Sequence, residues 1–232
     1  MPDPASPSRP RIIDLSHPIR VGLVTYPGLP APVITPHLTR EASRAKYAPG
    51  TEFAMDIITL IGNTGTYLDS PFHRYGEGDD LAALDLATLV GLRAEVFHVE
   101  RTADAADRGI RQEELAGRDL RGAAVLLHTG WDRFFATAAY GNGAPFLTEA
   151  ATRWLIDEGV VLVGIDSLNI DDTESGGERP VHSLLLAAGI HVVEHLTHLE
   201  DVPTQGARFT AAPPAIEGFG TFPVRAFVEL PA

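Results

Sequence analysis

Residues 61–73 read Ile-Gly-Asn-Thr-Gly-Thr-Tyr-Leu-Asp-Ser-Pro-Phe-His and follow an apolar run that begins at Ile57. In an extended strand alternate side chains share a face, so Asn63, Gly65, Tyr67 and Asp69 are expected on one side. Pro71 ends regular pairing. Gly65 brings no side chain to that face, which leaves room for an ion or a substrate between positions 63 and 67. The groups offered are an amide, a phenol and a carboxylate. A neutral amide is a weak donor, and a phenol with a pKa near ~10 keeps its proton at neutral pH. These three residues alone do not make a tight transition-metal site.

Composition narrows the classes. The chain has 232 residues, 44% of them hydrophobic, enough for one α/β domain with a full core. A formal charge of −13 argues against a nucleic-acid backbone or an anionic membrane as partner. No cysteine is present, so disulfides, thiolate ligands and cysteine nucleophiles are excluded together. No run of about 18 apolar residues occurs and the N-terminus lacks an apolar h-region, so a cytoplasmic location is expected. The sequence has neither a Gly-rich phosphate loop after a strand nor a Gly-x-Ser-x-Gly elbow.

Met1–Pro10 is rich in Pro and Ser and is expected to be a disordered tail ahead of a single domain over 11–232. Strands are predicted over 11–17, 94–99, 123–129, 160–166, 190–194 and 222–230. Helices are predicted from Asp79-Asp80 to Val90, from a Thr148 cap to Glu158, and over 182–188. The fold class is α/β, with helices around a mixed sheet.

The 61–73 stretch is similar to the His-x-Gly-Thr-His-x-Asp-x-Pro-x-His signature of the cyclase family, which includes bacterial kynurenine formamidases and isatin hydrolases. Gly65, Thr66, Asp69, Pro71 and His73 match it; Asn63 and Tyr67 stand where the family has two metal-binding histidines. Further resemblance runs through Asp14–Ile19, His128–Asp132, Gly164–Ser167, the spacing of His182 and Glu194, and Gly220–Ala226. The resemblance implies a small barrel-like mixed sheet, a small-molecule substrate and a homodimer or higher homo-oligomer. Hydrolytic relatives use one or two divalent ions. Here Asp69, His182 and Glu194 could together hold one, Zn or Mn, while the site needing the histidine pair is weakened or lost.

On this reading His73 and Asp69 transfer protons, and Tyr67 donates a hydrogen bond or simply fills the vacated space. Asn63, His182 and Glu194 line the substrate pocket. His191, His195 and His198 have ligand-like spacing but straddle a strand end, so their side chains are expected to diverge. His17 and His128 are expected to be structural or at the pocket rim. The acidic loop 171–178, with Gly176 and Gly177, reads as a solvated loop or a mobile lid. Three functions follow. Narrowly preferred is a metal-independent enzyme that closes, isomerises or eliminates on a small organic molecule, with natural-product biosynthesis as a setting. Next is an amide or lactone hydrolase with one ion, and last a non-catalytic ligand-binding protein.

Overall fold

The computed structural model describes residues 10–101 and 107–231; apart from Pro10, the expected tail lies outside them. Thirteen strands follow in chain order: β1 (Ile12–Asp14), β2 (Val33–Leu38), β3 (Met55–Thr59), β4 (Tyr67–Asp69), β5 (Leu92–His98), β6 (Gly109–Ile110) and β7 (Ala123–His128), then β8 (Phe146–Leu147), β9 (Leu162–Ile165), β10 (His191–Glu194), β11 (Arg208–Thr210), β12 (Thr221–Pro223) and β13 (Phe227–Glu229). The helices are α1 (Arg40–Ser43), α2 (Glu149–Glu158) and α3 (Pro180–Ala187).

One nine-stranded sheet runs in the order β1-β13-β11-β5-β7-β9-β10-β4-β12. Its middle, β5-β7-β9-β10, is parallel, and both flanks are antiparallel. The parallel strands are apolar on both faces because both are covered. Val96, Leu126 and Val193 point into the curl of the sheet with Leu68, Phe209 and Val228. Their neighbours Phe97, Leu127 and Val192 point the other way, onto Leu155 of α2 and Leu185 of α3. Helix α2 begins where Thr148 Oγ accepts from Ala151 N and ends at Gly159, whose φ of 77° suits a residue without Cβ.

Three predicted elements differ from the structure. The strand expected over 222–230 is two strands, β12 at one edge of the sheet and β13 next to the edge strand β1 at the other, joined by Val224–Ala226. Val224 N bonds Thr66 O, and Leu15 N bonds Ala226 O, so this bridge draws the two edges toward each other and curls the sheet into a half-barrel. The helix expected over 79–90 is a set of turns. Asp80 accepts from Ala82 N and Ala83 N, and Asp85 from Ala87 N, so each acid closes a local turn instead of extending a helix. The strand expected from Asn63 is confined to Tyr67–Asp69. Gly65, with φ +66°, breaks it, and a Cβ there would meet Ile19 Cγ1 at 3.2 Å. Its missing side chain serves a backbone turn and close packing, not space for an ion.

Two small sheets stand apart, β2-β3 and β6-β8. The β2-β3 ribbon leaves Val33, Ile34, Met55, Ile57 and Ile58 exposed. No helix among the described residues is long and apolar enough to cross a membrane.

Candidate active site

Strand register assembles the site. On one side of β4, Tyr67 lies opposite Glu194; on the other, Asp69 lies opposite Thr221. Because Tyr67 and Asp69 are two residues apart they share a face, and that face looks toward α3, whose first turn supplies His182. The result is a cavity of about 500 Å³ whose lining includes Asn63, Tyr67, Asp69, His73, His182 and Glu194. Every residue named from sequence as catalytic or substrate-binding is therefore in one cavity. His73 sits at its mouth, at the end of the turn Pro71–His73.

Asp69, His182 and Glu194 are all buried, and they form the sole group of three or more metal-competent side chains among the described residues. His182 Nε2 lies 3.5 Å from Asp69 Oδ2 and 3.5 Å from Glu194 Oε1. These separations exceed an ordinary N–H···O hydrogen bond of about 2.7–3.2 Å. They approach the ligand–ligand edge of about 3.3 Å expected for bonds of roughly 2.0–2.1 Å in a tetrahedral site. Asp69 Oδ2 is buried without a partner. His182 Nδ1 lies 2.7 Å from Asp171 Oδ2, which fixes the ring and leaves Nε2 for the cluster. Asp171 also accepts from Val181 N and His182 N and so caps α3. The three residues fit one divalent ion.

Asn63 and Tyr67, which stand where the signature resembled above has two histidines, offer an amide and a phenol. Tyr67 Oη donates to Glu194 Oε2 at 2.6 Å, and the phenol is pushed well above its usual pKa by burial and the Glu194 charge. Behind it runs a buried chain: Tyr140 Oη lies 2.8 Å from His195 Nδ1, and His195 Nε2 lies 3.3 Å from Tyr67 Oη. Since Tyr67 gives its proton to Glu194, the chain has one direction, Tyr140 to His195 to Tyr67 to Glu194. His195 adopts φ 57°, a left-handed conformation rare outside glycine, and burial pulls its pKa down to about 3.

A second chain reaches the mouth. Thr221 Oγ1 donates to Asp69 Oδ1 and lies 2.6 Å from His73 Nδ1. With its own proton on Asp69, Thr221 accepts from His73 Nδ1–H, which leaves His73 Nε2 as the basic nitrogen. Burial disfavours charge on all three floor residues. For His182, the Glu194 charge, the Asp171 hydrogen bond and Asp69 overcome burial and raise the pKa to about 10. Glu194 is raised to about 7 by burial, against the pull of His182. Asp69 is held below its usual range by His182 and His73 despite burial.

Sequence reasoning missed Asp171, Thr221 and Asn169, and it set His195 aside with His191 and His198. Those three histidines do diverge: His191 reaches Thr88, His195 the Tyr67 chain and His198 the Asp14 carbonyl. Thr221 lies in a segment whose sequence resembles only a closing strand; the structure shows Gly220 before it packed so closely that a Cβ would sit 2.3 Å from His73 N. His17 stacks on Phe135 and His128 lies against His98, both outside the cavity lining. The loop 171–178 is anchored at its first half, where Arg108 holds Asp172 at 3.0 Å and Glu174 at 3.2 Å. Gly177 alone of its glycines reaches the cavity.

Known proteins share this architecture. The kynurenine formamidase of Bacillus cytotoxicus is 29% identical over 223 residues, which cover 94% of this chain and 96% of that one. A solved structure described as a predicted metal-dependent hydrolase from Bacillus stearothermophilus aligns with a TM-score of 0.72 at 27% identity, covering 95% of this chain and 98% of that one. Isatin hydrolase A from Labrenzia aggregata shares the fold, with a TM-score of 0.81 at 23% identity over 95% of this chain and 93% of its own. The Cyclase family profile matches residues 13–172, more than half of the sequence, and the chain belongs to that family of enzymes.

Proposed function

We propose that this enzyme hydrolyses an amide or lactone of a small organic molecule, with one divalent ion, Zn or Mn, held by Asp69, His182 and Glu194. The observation that carries this reading is the buried, unpartnered Asp69 Oδ2, set 3.5 Å from a His182 ring that Asp171 holds from behind. The named activities of the similar formamidase and hydrolases support it. On this reading the one-ion hydrolase stands ahead of the metal-independent enzyme that the sequence narrowly preferred.

When bound, the ion would polarise the substrate carbonyl and lower the pKa of water. The chain's own groups do the rest. His73 Nε2, freed as a base by the Nδ1–Thr221–Asp69 chain, takes a proton from a water whose oxygen bonds to the carbonyl carbon, and the acyl bond to nitrogen or oxygen then breaks. His73 returns that proton to the leaving atom, so the reaction ends proton-balanced. Asn63 lines the wall beside Tyr67, placed to orient the carbonyl. Elemental analysis should find one equivalent of Zn or Mn in the purified protein and none in Asp69→Asn or His182→Ala. Turnover of formanilide should follow the metal content. Ion-free protein that turns over unchanged after chelation would sink the proposal.

One observation favours the metal-free alternative. Glu194 is already satisfied on both oxygens, by Ile170 N at 2.7 Å and by Tyr67 Oη, and Asp69 Oδ1 by Thr221. Acid–base ring closure, isomerisation or elimination by His73 and Asp69 would need no further ligand, and retained activity after chelation is its signature.

A further inference from the structure

The cavity floor is acidic, yet its mouth carries two arginines, Arg74 and Arg179. Arg74 follows the turn Pro71–His73, and Arg179 precedes the first residue of α3. Ser183 links them: its Oγ accepts from Arg74 Nε at 3.3 Å and donates to the Arg179 carbonyl at 2.7 Å. Arg179 Nη1 donates to the carbonyls of Asp172, at 3.3 Å, and Glu178, at 2.7 Å. All these partners are neutral. Among the described residues, neither guanidinium has a carboxylate oxygen within 4.0 Å.

Acids are not scarce nearby. Arg179 closes the loop that holds Asp171, Asp172, Glu174 and Glu178. Asp171 is engaged by His182 and the first turn of α3, and Arg108 draws Asp172 and Glu174 to itself. Arg179 therefore reaches the carbonyl of Asp172 but not its carboxylate. The fold keeps two full positive charges free of ion pairs at one cavity mouth, in a chain of formal charge −13. A protein of that charge repels anions at long range, so local cations are what would make an anion welcome. The guanidinium fork matches the two oxygens of a carboxylate.

We infer that the substrate carries a carboxylate, bound at the mouth by Arg74 and Arg179, while its hydrolysable carbonyl reaches the Asp69–His182–Glu194 floor. Tyr26 and Leu29, also in the lining, meet its apolar body, and about 500 Å³ accommodates a single ring with two short substituents. The placement of the carbonyl rests on the hydrolase reading; the binding of the carboxylate does not.

The test compares anthranilate with its neutral isostere anthranilamide, by calorimetric titration of chelator-treated and Mn-loaded full-length protein. Wild type is expected to prefer anthranilate by tenfold or more in both forms. Arg74→Ala and Arg179→Ala should each cut that preference several-fold and the double variant should abolish it, while Arg179→Lys restores part of it. Thermal melting of each variant confirms that it is folded. Equal binding of the two compounds by wild type would overturn the inference. So would a preference that needs the ion and survives the double substitution, because the carboxylate would then sit on the metal. A protein that shows the arginine-dependent preference but never hydrolyses an amide would sink the hydrolase reading and leave this one standing.

Discussion

Tyr67 is tied to the candidate metal cluster through Glu194. Its hydroxyl occupies Glu194 Oε2 and receives His195, so the residue in a histidine's place is built into the hydrogen-bond network. Tyr67→Phe leaves His195 Nε2 without an acceptor and Glu194 Oε2 with only Asn169 Nδ2 at 3.5 Å. An unsatisfied buried polar group costs about 1–3 kcal/mol, so urea denaturation should show a loss of that size. The double variant Asn63→His/Tyr67→His restores the family's imidazole pair. Its metal content is expected to rise from one equivalent to two by elemental analysis, whereas Asn63→His alone stays at one.

At the scale of elements, the site depends on what fixes α3. Asp171 accepts from two backbone amides of that helix and from His182 Nδ1, so it caps and orients at once. Asp171→Ala should lower stability by about 2 kcal/mol in chemical denaturation. It should also weaken ion binding by roughly 10–100-fold in competition with a chelating dye. The buried parallel strands and α2 were legible from sequence because each carries its own signal: an unbroken apolar run, or a Thr148 cap and a Gly159 stop. Asp69 was legible from strand alternation with Tyr67, whereas His73, His182 and Glu194 were singled out through family spacing. Thr221 and His195 were not, since their roles depend on strand register across 152 and 128 residues of separation. The 79–90 segment misled because its leucines have helical spacing, while Asp80 and Asp85 cap short turns whatever the leucines do.

Across the whole molecule, two properties belong to no single element. His191 is buried against Thr88, with its Nδ1 unpartnered, and burial pulls its pKa down to about 4 against the weaker pull of Asp79. The unfolded chain binds that proton at higher pH than the native one, so stability is lost as pH falls from 6.5 toward 4. The slope is at most about 1.4 kcal/mol per pH unit, and denaturation midpoints for His191→Gln should fall less steeply than wild type over that window. The exposed apolar ribbon β2-β3 is the feature that suits the expected homo-oligomer. Light scattering should give a dimer or larger species, and Ile57→Asp with Ile58→Asp should reduce it.

The bridge Val224–Ala226 has a consequence for how the molecule comes into being. Among the described residues β1 pairs with β13 only, and Asp69 lies opposite Thr221 on β12, so both the first strand and the floor of the cavity depend on segments far away in sequence. The parallel centre joins segments closer together in sequence and is expected to form before β1 finds its partner. The cavity floor is therefore expected to be completed after that centre, once β12 and β13 have docked on β4 and β1.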